Sequence, residues 1–204
     1  GGIVIAVLFL SLMFCAILVN HRNVKFEEVG LISFVSICIP LAISTLAFFM
    51  FRYEEYGVFF IVYTLVTTWM ADGGAYFAGT FFGKHKLAPE ISPKKTWEGF
   101  VGGVICSALS GALCGFGYVL LDRIALGDES TLRVNIPILA ATGFFVAWLG
   151  LLGDLSMSLL KRQCSVKDFG NILPGHGGVM DRFDSVVFTA PFVYLVFQVV
   201  FPIR

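Results

Sequence analysis

Charge is what this sequence has least of. Lys and Arg together number 14, as do Asp and Glu, so 14% of the 204 residues are charged and the net charge is zero. A soluble domain of this length carries about 25% charged residues. With the charges in balance, nothing suggests a nucleic-acid partner. Cysteine is sparse and scattered. Cys15, Cys38, Cys106, Cys114 and Cys164 form no C-x-x-C, and an odd count argues against a disulfide framework. Four of them sit in apolar runs, where they read as packing residues. The three histidines, His21, His85 and His176, have no Cys or second His at ligand spacing, which argues against zinc. There is no internal repeat, no low-complexity segment and no strand-like alternation of apolar and polar residues.

What the chain has in quantity is grease: 57% hydrophobic residues, with 22 Phe. Six apolar runs can be drawn, at about 3–19, 29–51, 57–82, 99–121, 135–160 and 185–203. A bilayer core needs roughly 20 helical residues, so each is long enough to cross, the first marginally. The first run lacks a basic n-region and an A-x-A site, and reads as a span, not a signal peptide. Backbone satisfaction in lipid leaves helices. The expected fold is therefore all-α: a polytopic transmembrane helical bundle of about six spans, with residues 1–204 forming a single integral membrane domain.

Orientation follows from Lys and Arg. Loops 20–28, 83–98 and 161–184 hold Arg22, Lys25, Lys84, Lys86, Lys94, Lys95, Lys161, Arg162, Lys167 and Arg182. Loops 51–56 and 122–134 hold only Arg52, Arg123 and Arg133. The first set is expected to face the cytoplasm.

The few ionisable residues inside apolar runs stand out. Asp72 lies well within the third run, in Asp72-Gly73-Gly74-Ala75. An ionised carboxylate there costs about 2.5–3.5 kcal/mol on insertion scales, so it must face a partner or a wet cavity. Asp154 lies near the end of the fifth run. Asp154, Ser158 and Lys161 share one helix face at 3.6 residues per turn. Asp181 and Asp184 share a face if their segment is helical, with Arg182 pointing elsewhere. Asp72, Asp154, Asp181 and Asp184 can thus converge from three segments.

Between the third and fourth runs, Pro89 and Pro93 forbid a continuous helix. Thr96 is placed to cap the next span, with Glu98 and Gly99 in its first turn. Lys94 and Lys95 suit phosphate as well as lipid headgroups. Lys84 and Lys86 read as positive-inside anchors and His85 as a surface residue. Gly111 and Gly115 form a G-x-x-x-G packing face.

The stretch Ser158 to Asp184 carries most of the remaining chemistry. It sets Lys161, Arg162, Lys167, Arg182 and three aspartates around Pro174-Gly175-His176-Gly177-Gly178. Bare backbone between cations and carboxylates is what a metal–polyphosphate site needs. Ser158, Lys161-Arg162, Lys167-Asp168, Pro174, His176-Gly177-Gly178, Asp181-Arg182 and Asp184 resemble the signature of the phosphatidate cytidylyltransferases, with no departure at a constrained position. The similarity reaches back to about Trp69, and Ser92-Pro93-Lys94-Lys95-Thr96-Trp97-Glu98-Gly99 resembles the same family.

That resemblance implies transfer of a cytidylyl group from CTP to phosphatidic acid, giving CDP-diacylglycerol and pyrophosphate at a cytoplasm-facing site of the inner membrane. It implies Mg2+, a second ion such as K+, and the lipid bilayer as partner; the sequence leaves the oligomeric state open, a homodimer among the options. Members of that family usually carry further spans ahead of this point, and a Gly-Gly start without Met fits a fragment or a trimmed product. Carried over residue by residue, Asp154 and Asp181 are metal ligands and Asp184 a ligand or a group behind one. Asp72 is a ligand or an orienting group. Lys161, Arg162, Lys167 and Arg182 are expected on phosphate. Asp168 belongs to the reaction or to an internal pair with Lys167. Ser158, Lys94, Lys95, His176, Gly177 and Gly178 are expected to bind substrate.

Three rivals differ in chemistry. The D-G-x-x-A-R pattern of CDP-alcohol phosphotransferases is not met, and no Walker A spacing occurs. A CTP-dependent polyprenol kinase would use similar parts on a lipid alcohol. An ion-coupled transporter explains the intramembrane acids but leaves the Gly-His-Gly-Gly loop without a purpose.

Overall fold

The computed structural model describes residues 2–19, 26–127, 132–163 and 180–203. Helices account for nearly all of them: α1 Gly2–Val19, α2 Phe26–Arg52, α3 Gly57–Phe82, α4 Trp97–Leu126, α5 Ile136–Gln163, the single turn α6 Met180–Phe183, and α7 Val186–Val199. Five stretches are long and apolar enough to cross a membrane: Ile32–Arg52, Gly57–Phe82, Trp97–Ala125, Ile136–Gln163 and Met180–Val199. The last needs α6 and α7 together. The first apolar run forms a helix whose Val7–Val19 part is shorter than a span requires. Large apolar side chains stay exposed along every long helix, Phe34, Phe77, Leu113, Phe145 and Leu195 among them. In water such a surface would aggregate, whereas in lipid it is the expected outer face. The chain is a multi-pass helical membrane protein.

By contacts it falls into two compact units, Gly1–Leu41 and Ala42–Arg204. In the first, Ser33 Oγ donates to Val29 O at 2.5 Å and lies 2.7 Å from Met13 Sδ, tying the start of α2 to α1. Pro40 lies inside α2, which membrane helices tolerate.

The second unit is built on close helix contact. Gly99, Gly103, Ser107, Gly111 and Gly115 recur every four residues and so form one stripe down α4. A Cβ added at Gly99 would stand 2.7 Å from Ala75 O, and one at Gly103 would stand 2.7 Å from Ala71 O, both on α3. At Gly111 the Cβ would meet Leu139 O of α5 at 2.7 Å. Ser107 Oγ lies between the two neighbours, 3.0 Å from Thr67 O and 2.7 Å from Gly143 O. The G-x-x-x-G pair read from the sequence is the end of this longer stripe. With no hydrophobic effect between helices in lipid, such close packing and shared hydrogen bonds hold them together.

An aromatic core gathers at the Gly57 end of α3. Phe49, Phe60, Tyr63, Leu139 and Phe197 are fully buried there. Tyr63 Oη donates to Leu139 O at 2.6 Å, giving the buried hydroxyl its partner. The chain closes over this end through a bridge between Val134 and Ile203.

At the other end of α3 the loop with two prolines forms a hairpin. Strand β1 Lys86–Ala88 pairs antiparallel with β2 Ser92–Thr96. The all-α expectation missed these two short strands. Thr96 caps α4 as expected, its Oγ1 accepting from Gly99 N at 3.1 Å.

Gly111→Val is expected to cost about 1–3 kcal/mol, because the new methyls must displace backbone. Gly117→Ala, where a Cβ meets nothing within 4 Å, is expected to cost nothing. Denaturation of the purified variants in detergent micelles measures both.

Candidate active site

The ends of α3, α4 and α5 and the hairpin enclose a cavity of about 480 Å³. Asp72 of α3, Asp154 of α5 and Lys86, Lys94 and Lys95 of the hairpin line it, together with Tyr76, Phe100 and Leu151. Ligand cavities of that size with an apolar wall and a few convergent polar groups are typical binding sites.

Two sets of charges form at and beside this cavity. In the first, Lys95 Nζ lies 2.5 Å from Asp154 Oδ2. Ser158 Oγ donates to Asp154 Oδ1 at 3.3 Å, so this serine turns to the carboxylate one turn back. Ser156, by contrast, bonds back to Leu152 O at 2.7 Å. In the second set, Lys161 Nζ lies 3.0 Å from Asp181 Oδ1 and 3.8 Å from Asp184 Oδ2. The face shared by Asp154, Ser158 and Lys161 therefore serves two neighbours: its lysine reaches across to α6. Asp184 Oδ1 also accepts from Ser185 N at 2.8 Å, and Ser185 Oγ reaches Asp72 Oδ1 at 3.4 Å.

The two sets are neighbours because α5 and α7 touch. Gly153, just before Asp154, has no side chain to hold α7 away; a Cβ there would stand 3.1 Å from Asp184 O. The hydroxyls of Thr68 and Thr189, 2.8 Å apart, tie α7 to α3. Ser185, whose N–H bonds Asp184 and whose hydroxyl reaches Asp72, links α7 to the carboxylate of α3.

Glu98 fixes the hairpin to the first turn of α4. Its carboxylate accepts from Lys84 N at 3.1 Å and His85 N at 3.2 Å, and His85 Nδ1 lies 2.6 Å from it. His85 is exposed, as the sequence reading expects. Trp97 N donates to His85 O at 3.0 Å.

Of the residues singled out in the sequence, Asp72, Lys94, Lys95 and Asp154 meet at the cavity. Ser158, Lys161, Asp181 and Asp184 stand beside it. Arg162 and Arg182 are exposed, and the Arg182 carbonyl accepts from the Trp69 indole at 3.4 Å. Lys167, Asp168, Pro174, His176, Gly177 and Gly178 lie outside the described residues. Ser185 and the cavity-lining Lys86 were not anticipated. Ser185 lies one residue past the signature, and no spacing relates it to Asp72, 113 positions earlier.

Among the described residues, no three His, Cys, Asp or Glu side chains gather tightly enough to hold a metal ion by themselves. Magnesium seldom uses such an all-protein cage. It keeps several waters and takes one or two carboxylates with substrate phosphates. The hard oxygen donors of Asp154, Asp181, Asp184 and Asp72 fit that mode.

Intramembrane carboxylates paired with lysines at and beside a cavity mark one end of this helical membrane protein. The cytidylyltransferase family model matches residues 2–200, and the chain belongs to that family. A phosphatidate cytidylyltransferase of Bacillus subtilis is 40% identical over 189 residues, which is 92% of this chain and 65% of the relative. Proteins of the same name from Staphylococcus aureus and Staphylococcus haemolyticus are each 43% identical over 145 residues, 70% of this chain and 51% of theirs. The chain thus spans between half and two thirds of the length of these relatives.

Lys161→Met leaves Asp181 and the buried Asp184 without their shared ammonium. Removing one partner of a buried pair typically costs about 3–5 kcal/mol. The variant is expected to unfold earlier in detergent than the parent chain, and adding Asp184→Asn to it is expected to restore part of the loss.

Proposed function

We propose that the protein transfers a cytidylyl group from CTP to phosphatidic acid, releasing pyrophosphate and forming CDP-diacylglycerol. The observation that carries this reading is the cavity itself, where Asp72 and Asp154 share one mouth with Lys86, Lys94 and Lys95. Family membership and the names of the relatives support the choice of substrates.

The lipid phosphate brings its own nucleophilic oxygen, so no strong protein base is required. That oxygen attacks the α-phosphorus of CTP, a new P–O bond forms, and the bond to the β-phosphate breaks with its electrons leaving on pyrophosphate. No proton need be transferred. The difficulty is to bring two polyanions together and to stabilise charge on the departing group. Lys94 and Lys95 stand where triphosphate oxygens can meet them, and Lys161 is held ready by Asp181 and Asp184. Arg162 and Arg182, both exposed, complete the cationic set. Asp154, Asp181, Asp184 and Asp72 are the residues that would hold Mg2+, with K+ as a second ion. A divalent cation held by these carboxylates would supply neutralisation of phosphate charge. Ser158 keeps the Asp154 carboxylate oriented, and the apolar wall with Tyr76 and Phe100 suits the lipid partner. Catalysis is then chiefly positioning and electrostatics.

The Lys and Arg bias between alternate loops supports a cytoplasmic side for the hairpin, where CTP is present. In a bacterial cell that is the inner membrane.

With labelled CTP, phosphatidate and Mg2+ in detergent, the chain is expected to form labelled CDP-diacylglycerol. Asp181→Asn is expected to lower turnover at least about 100-fold, as loss of a catalytic electrostatic group does, while keeping its helical circular-dichroism signal. Lys161→Ala is expected to raise the KM for CTP. Transfer of the γ-phosphoryl group of CTP to a lipid alcohol, with release of CDP, would replace this reading with a CTP-dependent lipid kinase.

A further inference from the structure

The Lys95–Asp154 pair is built unlike the Lys161 pair. Lys161 is nearly buried and lies between two carboxylates. Lys95 lies at the cavity wall, its side chain 21% and that of Asp154 29% exposed, so both can be reached by an incoming solute. The anchor of Lys95 is firm. It precedes Thr96, which is buried and caps α4, and the hairpin base is fastened through Glu98. The four-carbon arm beyond that anchor is free to turn, and the cavity it lines gives it room. An ammonium and a divalent cation cannot share the same carboxylate oxygen at close range.

We infer that Lys95 is an exchangeable counter-ion: it holds Asp154 until a divalent cation takes that carboxylate, and the released ammonium then turns to the phosphates of the nucleotide. The inference rests on the proposed nucleotidyl transfer and adds an order of events to it. Lys95 keeps Asp154 from standing as a bare charge in the membrane, and the cation's arrival creates the positive group that meets the triphosphate. The same lysine thereby opposes the cation when the nucleotide is absent and favours the nucleotide once the cation is bound.

The test is binding, not turnover. Mn2+, a paramagnetic stand-in for Mg2+, is titrated by electron paramagnetic resonance against the chain in detergent micelles without nucleotide. Lys95→Met is expected to bind Mn2+ more tightly, by roughly 2- to 5-fold, the competition expected from a partly exposed ion pair. Lys95→Arg, which keeps the charge, is expected to match the parent. At saturating Mn2+, labelled CTP is expected to bind Lys95→Met more weakly than the parent. A purely structural lysine would weaken both ligands together or neither. Lys95→Gln is read in the same way should Lys95→Met fail to fold. Mn2+ affinity that is unchanged or weaker in the neutral variants overturns the proposal, as does Mn2+ binding that survives Asp154→Asn. Failure of the parent chain itself to bind Mn2+ removes the metal-assisted reading together with this inference. Parent binding that Asp154→Asn abolishes and Lys95→Met leaves unaltered removes the inference alone.

Discussion

Helix α4 touches α3 and α5 almost backbone to backbone, and the charged end of the bundle depends on that approach. The stripe of Gly99, Gly103, Ser107, Gly111 and Gly115 removes the side chains that would hold the helices apart. Lipid tails are as apolar as leucine, so association in a membrane gains little from hiding grease. It gains from dispersion contact at short range and from hydrogen bonds such as those at Ser107. A wider spacing between α3 and α5 would leave Asp72 and Asp154 facing different surroundings. At the observed spacing both open into one cavity.

The same constraint explains why acids survive inside apolar helices. Each is answered by a group from another element: Asp154 by Lys95 of the hairpin, Asp184 and Asp181 by Lys161 of α5, and Asp72 by Ser185 at the start of α7. Within α5 itself, Ser158 adds a bond to Asp154. The carboxylates are therefore tolerated only in the folded state, and folding assembles a polar chamber toward the end of α3 opposite the aromatic core. The Lys95–Asp154 pair stays partly exposed at the cavity wall, whereas Lys161, Asp181 and Asp184 are more deeply covered.

Much of the fold was legible early. Apolar runs of membrane-spanning length appear as helices near the drawn boundaries, because length and hydropathy alone decide spans in lipid. Thr96 was readable as a cap because a threonine before an apolar run with an acid in the first turn has few other uses. The hairpin was not readable. Lys86–Ala88 and Ser92–Thr96 show no clear alternation, and Pro93 argues against a strand. The pair forms because Glu98 gathers the Lys84 and His85 amides at its base. The role of Ser107 was hidden too, since a serine among glycines looks like one more small residue until its two acceptors are seen.

The sequence by itself determined the class of protein, the spans, the positions of the acids along them and, through its Ser158-to-Asp184 pattern, the family. Those are properties of order along the chain, and each can be checked residue by residue. Which lysine answers which aspartate was decided only by the tertiary structure. Asp154 and Lys161 lie on one helix face, yet Lys161 turns to α6 and Asp154 takes Lys95 from a strand 59 positions earlier. The physical reason is that an ion pair depends on distance in space, and here the distance is set by how closely glycine lets three helices approach.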